Sequence, residues 1–147
     1  MTIPRPVRIH LSRRKGFDLR AWSREVNGLD VVNCARPGKW GNPFYEGCGL
    51  GYGAFAADGS MTRADVRLAT TQVRWFRHHM EDMQRQPAEY EAYLTPLRGK
   101  NLACWCLLCG RHFVTGRPFD EPCPDCAPCH VDVLGELANA PICEDAL

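Results

Sequence analysis

Six of the chain's nine cysteines fall between Cys104 and Cys129, and no other feature narrows the possible folds so far. Met1–Pro6 carries no apolar leader, so the clustering reads as metal ligation in a reducing cytoplasm rather than as a disulfide framework. Cys106-x2-Cys109 and Cys123-x2-Cys126 are separated by thirteen residues, close to zinc-ribbon spacing. A two-residue gap lets one tight turn aim both sulfurs at one ion. Two such turns complete a tetrahedron at about 2.3 Å per Zn–S bond.

The register has more than one solution. One partition is a ribbon of Cys106, Cys109, Cys123 and Cys126, which leaves Cys104, Cys129 and His130 for chemistry. The other sets Cys109, His112, Cys123 and Cys126 apart from Cys104, Cys106, Cys129 and His130. Strand alternation points Cys104 and Cys106 the same way, with Trp105 opposite. Cys129 and His130 open the last helix, where the helix N-terminus favours a thiolate. The cofactor expected is zinc, as one ion or two. Cys34, Cys48 and Cys143 stand at no chelating interval, and the adjacent His78 and His79 point apart on a helix.

The chain has 147 residues, 45% hydrophobic and 24% charged, enough to bury one core. No apolar run reaches the roughly 18 residues of a membrane span. Val7-Arg8-Ile9-His10-Leu11 alternates like a half-buried strand, with His10 on its polar, solvated side. A second apolar run covers Leu29 to Cys34. Cys48 to Ser60 is a glycine-rich connector, and Thr62-Arg63-Ala64-Asp65 fits a capping box. Val66, Ala69, Val73, Phe76, Met80 and Met83 then form one helical stripe. A second helix opens near Pro87 and runs to about Leu97. Asn101 to Cys106 is a short strand, and Val131, Val133, Leu134, Leu137 and Ala138 line a last helix that ends by Asn139. Asp132 in its first turn reads as an acid that suits the helix dipole. The order strand, strand, helix, helix, strand, helix predicts one small layered α/β domain over residues 1–147. Its sheet should have three or more mostly parallel strands.

Charge is divided unevenly. Residues 1–44 carry nine Lys/Arg against three Asp/Glu, whereas residues 45–147 carry nine against fourteen. Arg13, Arg14 and Lys15 at the mouth of the first strand can hold a phosphate, although a solvated turn explains them equally well. The loop Arg36-Pro37-Gly38-Lys39-Trp40-Gly41-Asn42 adds Arg36, Lys39, the Asn42 amide and an indole for stacking. Trp40 serves equally as a wedge against the core. If the strands run parallel, these turns and the cysteines meet beyond their carboxyl ends, where open α/β sheets bind ligands.

Four ordered segments carry a resemblance. Arg8 to Gly16, Ala35 to Phe44, Leu97 to Cys106 and Pro128-Cys129-His130-Val131-Asp132-Val133-Leu134 resemble the family known as domain of unknown function 4326. The resemblance implies a phage or bacterial protein, hence a bacterial or host cytoplasm. Members of that family run almost directly from the Cys-Trp-Cys strand to the Pro-Cys-His helix. Residues 107–128 thus read as a zinc-ribbon-like insert with its own ligands, which favours the second partition. The family implies no reaction.

Two readings of different class remain. In one, the protein is an enzyme or binder for a nucleotide or nucleic acid, with phosphate on the basic loops and Cys104, Cys129 or His130 near the chemistry. In the other, structural zinc supports an adaptor for a host protein or nucleic acid. Neither involves a membrane. A zinc deaminase is excluded: Pro122-Cys123-Pro124-Asp125-Cys126 matches half of that signature, but no His-x-Glu precedes it.

Overall fold

The structure is a computed structural model that describes residues 4–44 and 69–140. The glycine-rich connector, the capping box at Thr62, Val66, Cys48 and Cys143 lie outside the described residues. In chain order the elements are β1 (Val7–His10), α1 (Leu19–Asn27), β2 (Val31–Asn33), α2 (Ala69–Gln84) and α3 (Pro87–Leu94). A 3-10 turn at Thr95–Leu97 follows, then β3 (Asn101–Cys104), α4 (Gly110–Thr115), β4 (Arg117–Pro118) and α5 (His130–Ala138). The sheet order is β2-β3-β1-β4. β1 and β2 both pair parallel with β3, through Ile9↔Ala103 and Val32↔Leu102, while β4 runs antiparallel to β1.

Helix α1 is an addition to the expected order. Asp18 caps it by accepting from the Ala21 N–H at 3.2 Å, and Gly28, at φ +82°, ends it in the left-handed conformation. Leu19, Trp22 and Val26 recur on one face and pack against Val7, Ile9, Leu11 and Ala103. The opposite face of the sheet is covered by α2, α3 and α5, which bury Phe76, Met80, Leu94 and Leu134 against Leu102. Each such side chain contributes about 1.5–3 kcal/mol. Between these layers the parallel strands point their carboxyl ends to one rim. Among the described residues no helix is long and apolar enough to cross a membrane.

β1 departs from the half-buried expectation. It has a neighbour on each side and helices on both faces, so Arg8 is as buried as Ile9. His10 is not solvated either. Its ring lies 5.7 Å from that of Phe113 and 6.4 Å from that of Trp105.

The second edge of β1 is taken by the segment that follows β3. Gly116, at φ +74°, turns the chain from α4 into β4, and a side chain there would strike Val7. Gly135 on α5 leaves room for the Phe119 ring, which a Cβ would meet.

Candidate metal centres

The first cluster is built within the segment after β3. Cys109 caps α4, and its Sγ lies 3.5 Å from the His112 N–H. His112 follows one turn later and is buried. Cys123 and Cys126 bracket a second turn, closed by Cys126 N–H donating to the Cys123 carbonyl at 3.4 Å. Cys109 N–H donates to the Cys126 sulfur at 3.3 Å. One atom from each of Cys109, His112, Cys123 and Cys126 lies within 4.8 Å of all the others. The Cys109 and Cys123 sulfurs are 3.9 Å apart, and His112 Nδ1 is 3.2 Å from Cys109 Sγ and 3.4 Å from Cys126 Sγ. Tetrahedral zinc separates two thiolate sulfurs by roughly 3.8 Å, and a sulfur from an imidazole nitrogen by roughly 3.5 Å. Burial and the nearby Arg111 and Arg117 lower the His112 pKa, which favours the neutral imidazole, and Arg111 Nη2 lies 2.9 Å from its Nε2. The His112 backbone N–H chiefly lowers that of Cys109.

The second cluster joins distant parts of the chain. Cys104 ends β3, Cys129 caps α5, and their sulfurs are 3.3 Å apart. Cys106, in the turn after β3, completes a set whose sulfurs all lie within 4.8 Å. Cys106 therefore groups with Cys104 and Cys129, not with Cys109, as in the second of the two partitions, while His130 stands outside that set. Hydrogen bonds from Cys104 and Cys129 hold the Cys106 thiol far below its usual range, with help from Arg8 and His130. The two donors are pushed up in turn, so the trio carries one thiolate readily.

His130 stands beside this trio, with Nδ1 3.7 Å from Cys129 Sγ. Its Nε2 lies 3.0 Å from the Cys34 carbonyl and 2.8 Å from the Trp40 carbonyl. Carbonyl oxygens only accept, so Nε2 carries the proton and Nδ1 presents a lone pair on the cysteine side. This brace is the usual outer shell of a metal-ligating histidine.

Charge supports the same conclusion. Arg8 is fully buried and pairs with Asp132 at 2.9 Å, while Nη2 donates to the Cys106 and Leu107 carbonyls at 3.2 Å each. Arg117 from β4 also pairs with Asp132. One carboxylate between two guanidiniums leaves a positive charge over, and Arg8 Nε has no partner. A buried charge needs a counter-charge. Three thiolates and a neutral imidazole around a divalent ion carry one negative charge, which supplies it. The donor sets thus fit metal, and both clusters could hold an ion.

The cysteine trio and His130 also line a cavity of about 140 Å³, together with Arg36, Asn42, Gln72 and Trp105. It opens beyond the ends of β2 and β3. Asn42 is buried, donating to the Gln72 carbonyl at 3.3 Å and accepting from Phe44 N–H at 2.9 Å. The other residues singled out from sequence lie around it. Arg13 reaches the rim by sitting 5.1 Å over the Trp105 ring, whereas Arg14 and Lys15 are exposed on the same turn. Trp40 packs on Tyr93 and donates to its carbonyl at 3.0 Å, and Lys39 stands 5.0 Å above the Trp40 ring. Neither side chain lines the cavity. Sequence reasoning passed over Arg8 and gave Asp132 only a helix-dipole role. An arginine in an apolar strand was the available signal.

A family model described as Domain of unknown function (DUF4326) matches residues 18–140. The chain belongs to this family. The match takes in α1 to α5 and both clusters, while β1 and the basic turn of this DUF4326 protein precede it. No curated protein and no solved structure matches the chain.

Proposed function

We propose that this DUF4326 protein holds two zinc ions, one per cluster, and binds a phosphate-bearing ligand, a nucleotide or nucleic acid, at the rim of its parallel strands. The observation that carries the reading is the cavity whose floor is the Cys104-Cys106-Cys129 trio and whose wall includes Arg36 and Asn42. Cys109, His112, Cys123 and Cys126 would hold one ion, and Cys104, Cys106, Cys129 and His130 the other. Thiolate-rich donor sets favour zinc over hard cations. Four protein donors close a zinc site, so the ion supplies rigidity there and the ligand is held by the rim. Residues 107–128, with their own donors, a short helix and a two-residue strand, act as an insert stapled to a single domain. Reduced thiolates at both sites suit a cytoplasmic protein.

At about 140 Å³ the cavity is smaller than the 300 Å³ or more of a drug-sized site. It suits one phosphate or one ring, so the remainder of a nucleotide would extend over the rim. Elemental analysis of purified, reduced protein should give two zinc ions per chain. A thermal-shift titration should then show stabilisation by thymidine monophosphate but not by thymidine, lost in Arg36→Ala. Chains with no stoichiometric metal, or indifference to every nucleotide tried, would overturn the reading and favour an adaptor.

A further inference from the structure

Among the described residues the exposed large apolar side chains are Trp105, Leu107, Phe113 and Val114. All four come from the short stretch between the end of β3 and the end of α4. A patch left bare in so small a region marks an interaction surface. Its make-up is specific. Trp105 and Phe113 are 44% and 50% exposed, and both lean on His10, with ring centroids 6.4 and 5.7 Å away. Three rings from β1, the cysteine turn and α4 thus form one row. Arg13 covers Trp105 at 5.1 Å. Arg13, Arg14 and Lys15 are exposed and make no ion pair among the described residues.

We infer that this face binds single-stranded nucleic acid, with bases stacked on Trp105 and Phe113 and the phosphate backbone drawn along Arg13-Arg14-Lys15. Stacking platforms interleaved with unpaired cations are what an unpaired strand requires, since every base has a π-face and every linkage a charge. A duplex hides its base faces and satisfies only the cations. Trp and Arg are also common at protein interfaces, but Lys is depleted there, whereas here Lys15 continues the cationic run on the same turn as Arg13. Trp105 also lines the cavity, so a strand crossing the ring brings one phosphate or base to the cavity mouth. This inference rests on the phosphate reading above and extends it from a free nucleotide to a strand.

The test uses the zinc-loaded full chain and fluorescein-labelled dT15, read by anisotropy at several salt concentrations. Binding should weaken with salt at a slope near −2 in log–log form, about 0.7 for each of three cations. Trp105→Ala and Phe113→Ala should each weaken binding about ten-fold or more. Arg14→Ala/Lys15→Ala, which alters only exposed side chains, should flatten the slope by about 1.4. All variants should keep two metals per chain and the parent melting temperature. A duplex of the same length should bind more weakly than dT15. Equal binding of duplex and single strand, or dT15 binding indifferent to both aromatic changes, would overturn the inference. If thymidine monophosphate stabilises the protein while dT15 gains nothing over it, this inference fails and the phosphate reading stands. If neither binds, both fail. A protein complex abolished by Trp105→Ala, with dT15 inert, would assign the face to a protein instead and overturn the inference.

Discussion

The two cysteine clusters are spaced differently: Cys109-x2-His112 and Cys123-x2-Cys126 have two-residue gaps, whereas a single residue separates Cys104 from Cys106 and Cys129 lies far along the chain. The α4 cluster gathers donors no more than 17 residues apart on one compact segment, with Cys109 and Cys123 half-exposed. The rim cluster joins the end of β3 to the start of α5, 25 residues apart, and its histidine is braced by carbonyls of the loop after β2. A local site organises the segment that contains it. A non-local site ties together elements that are distant along the chain. The second lines a cavity and lies beside the buried Arg8. The difference teaches that a spacing motif reports a donor set but not its task; the task follows from what the donors connect.

The largest expected effect tests that division. Cys129→Ser should remove the rim metal and destabilise the whole domain by about 4 kcal/mol, lowering the melting temperature by roughly 10 °C. Cys123→Ser should remove the other metal and shift the melt much less. Calorimetry with elemental analysis would read both, and equal shifts would erase the distinction. Next in size is Asp132→Asn, which strands the buried Arg8. Urea unfolding should show a loss of about 3 kcal/mol, and a change near zero would mean that the thiolates alone hold Arg8. Smallest is Gly135→Ala, which pushes Phe119 off α5 at about 2 kcal/mol. Hydrogen exchange should then speed up in β4 and its flanks while the rim stays protected.

Much of this architecture was legible in the sequence because it is local. The cysteine gaps, the stripe Val73-Phe76-Met80 and the Pro87 helix start are patterns within a turn or two of chain. Helix α1 was equally available, since Asp18, Leu19, Trp22, Val26 and Gly28 supply cap, stripe and stop. Its nine residues carry only three large apolar side chains, too few for a strong stripe. Helix α4 has six residues and β4 has two, both too short for periodicity to speak. Arg8 and Asp132 are 124 residues apart, and no local rule pairs them. The tautomer of His130 depends on carbonyls 96 and 90 residues away. Such facts exist only after the chain has folded.

The two-residue ladder of β4 on β1 has an effect beyond holding the segment after β3. Without it, Arg8 would offer its outward backbone groups to any extended peptide, the usual seed of chain-to-chain pairing, while the Val7 N–H is already taken by the Asn101 side chain on the other side. Pro118 closes that row with a residue that lacks a donor of its own. The segment after β3 therefore also covers a sheet edge, and clipping it from the fold would leave that edge open to chain-to-chain pairing.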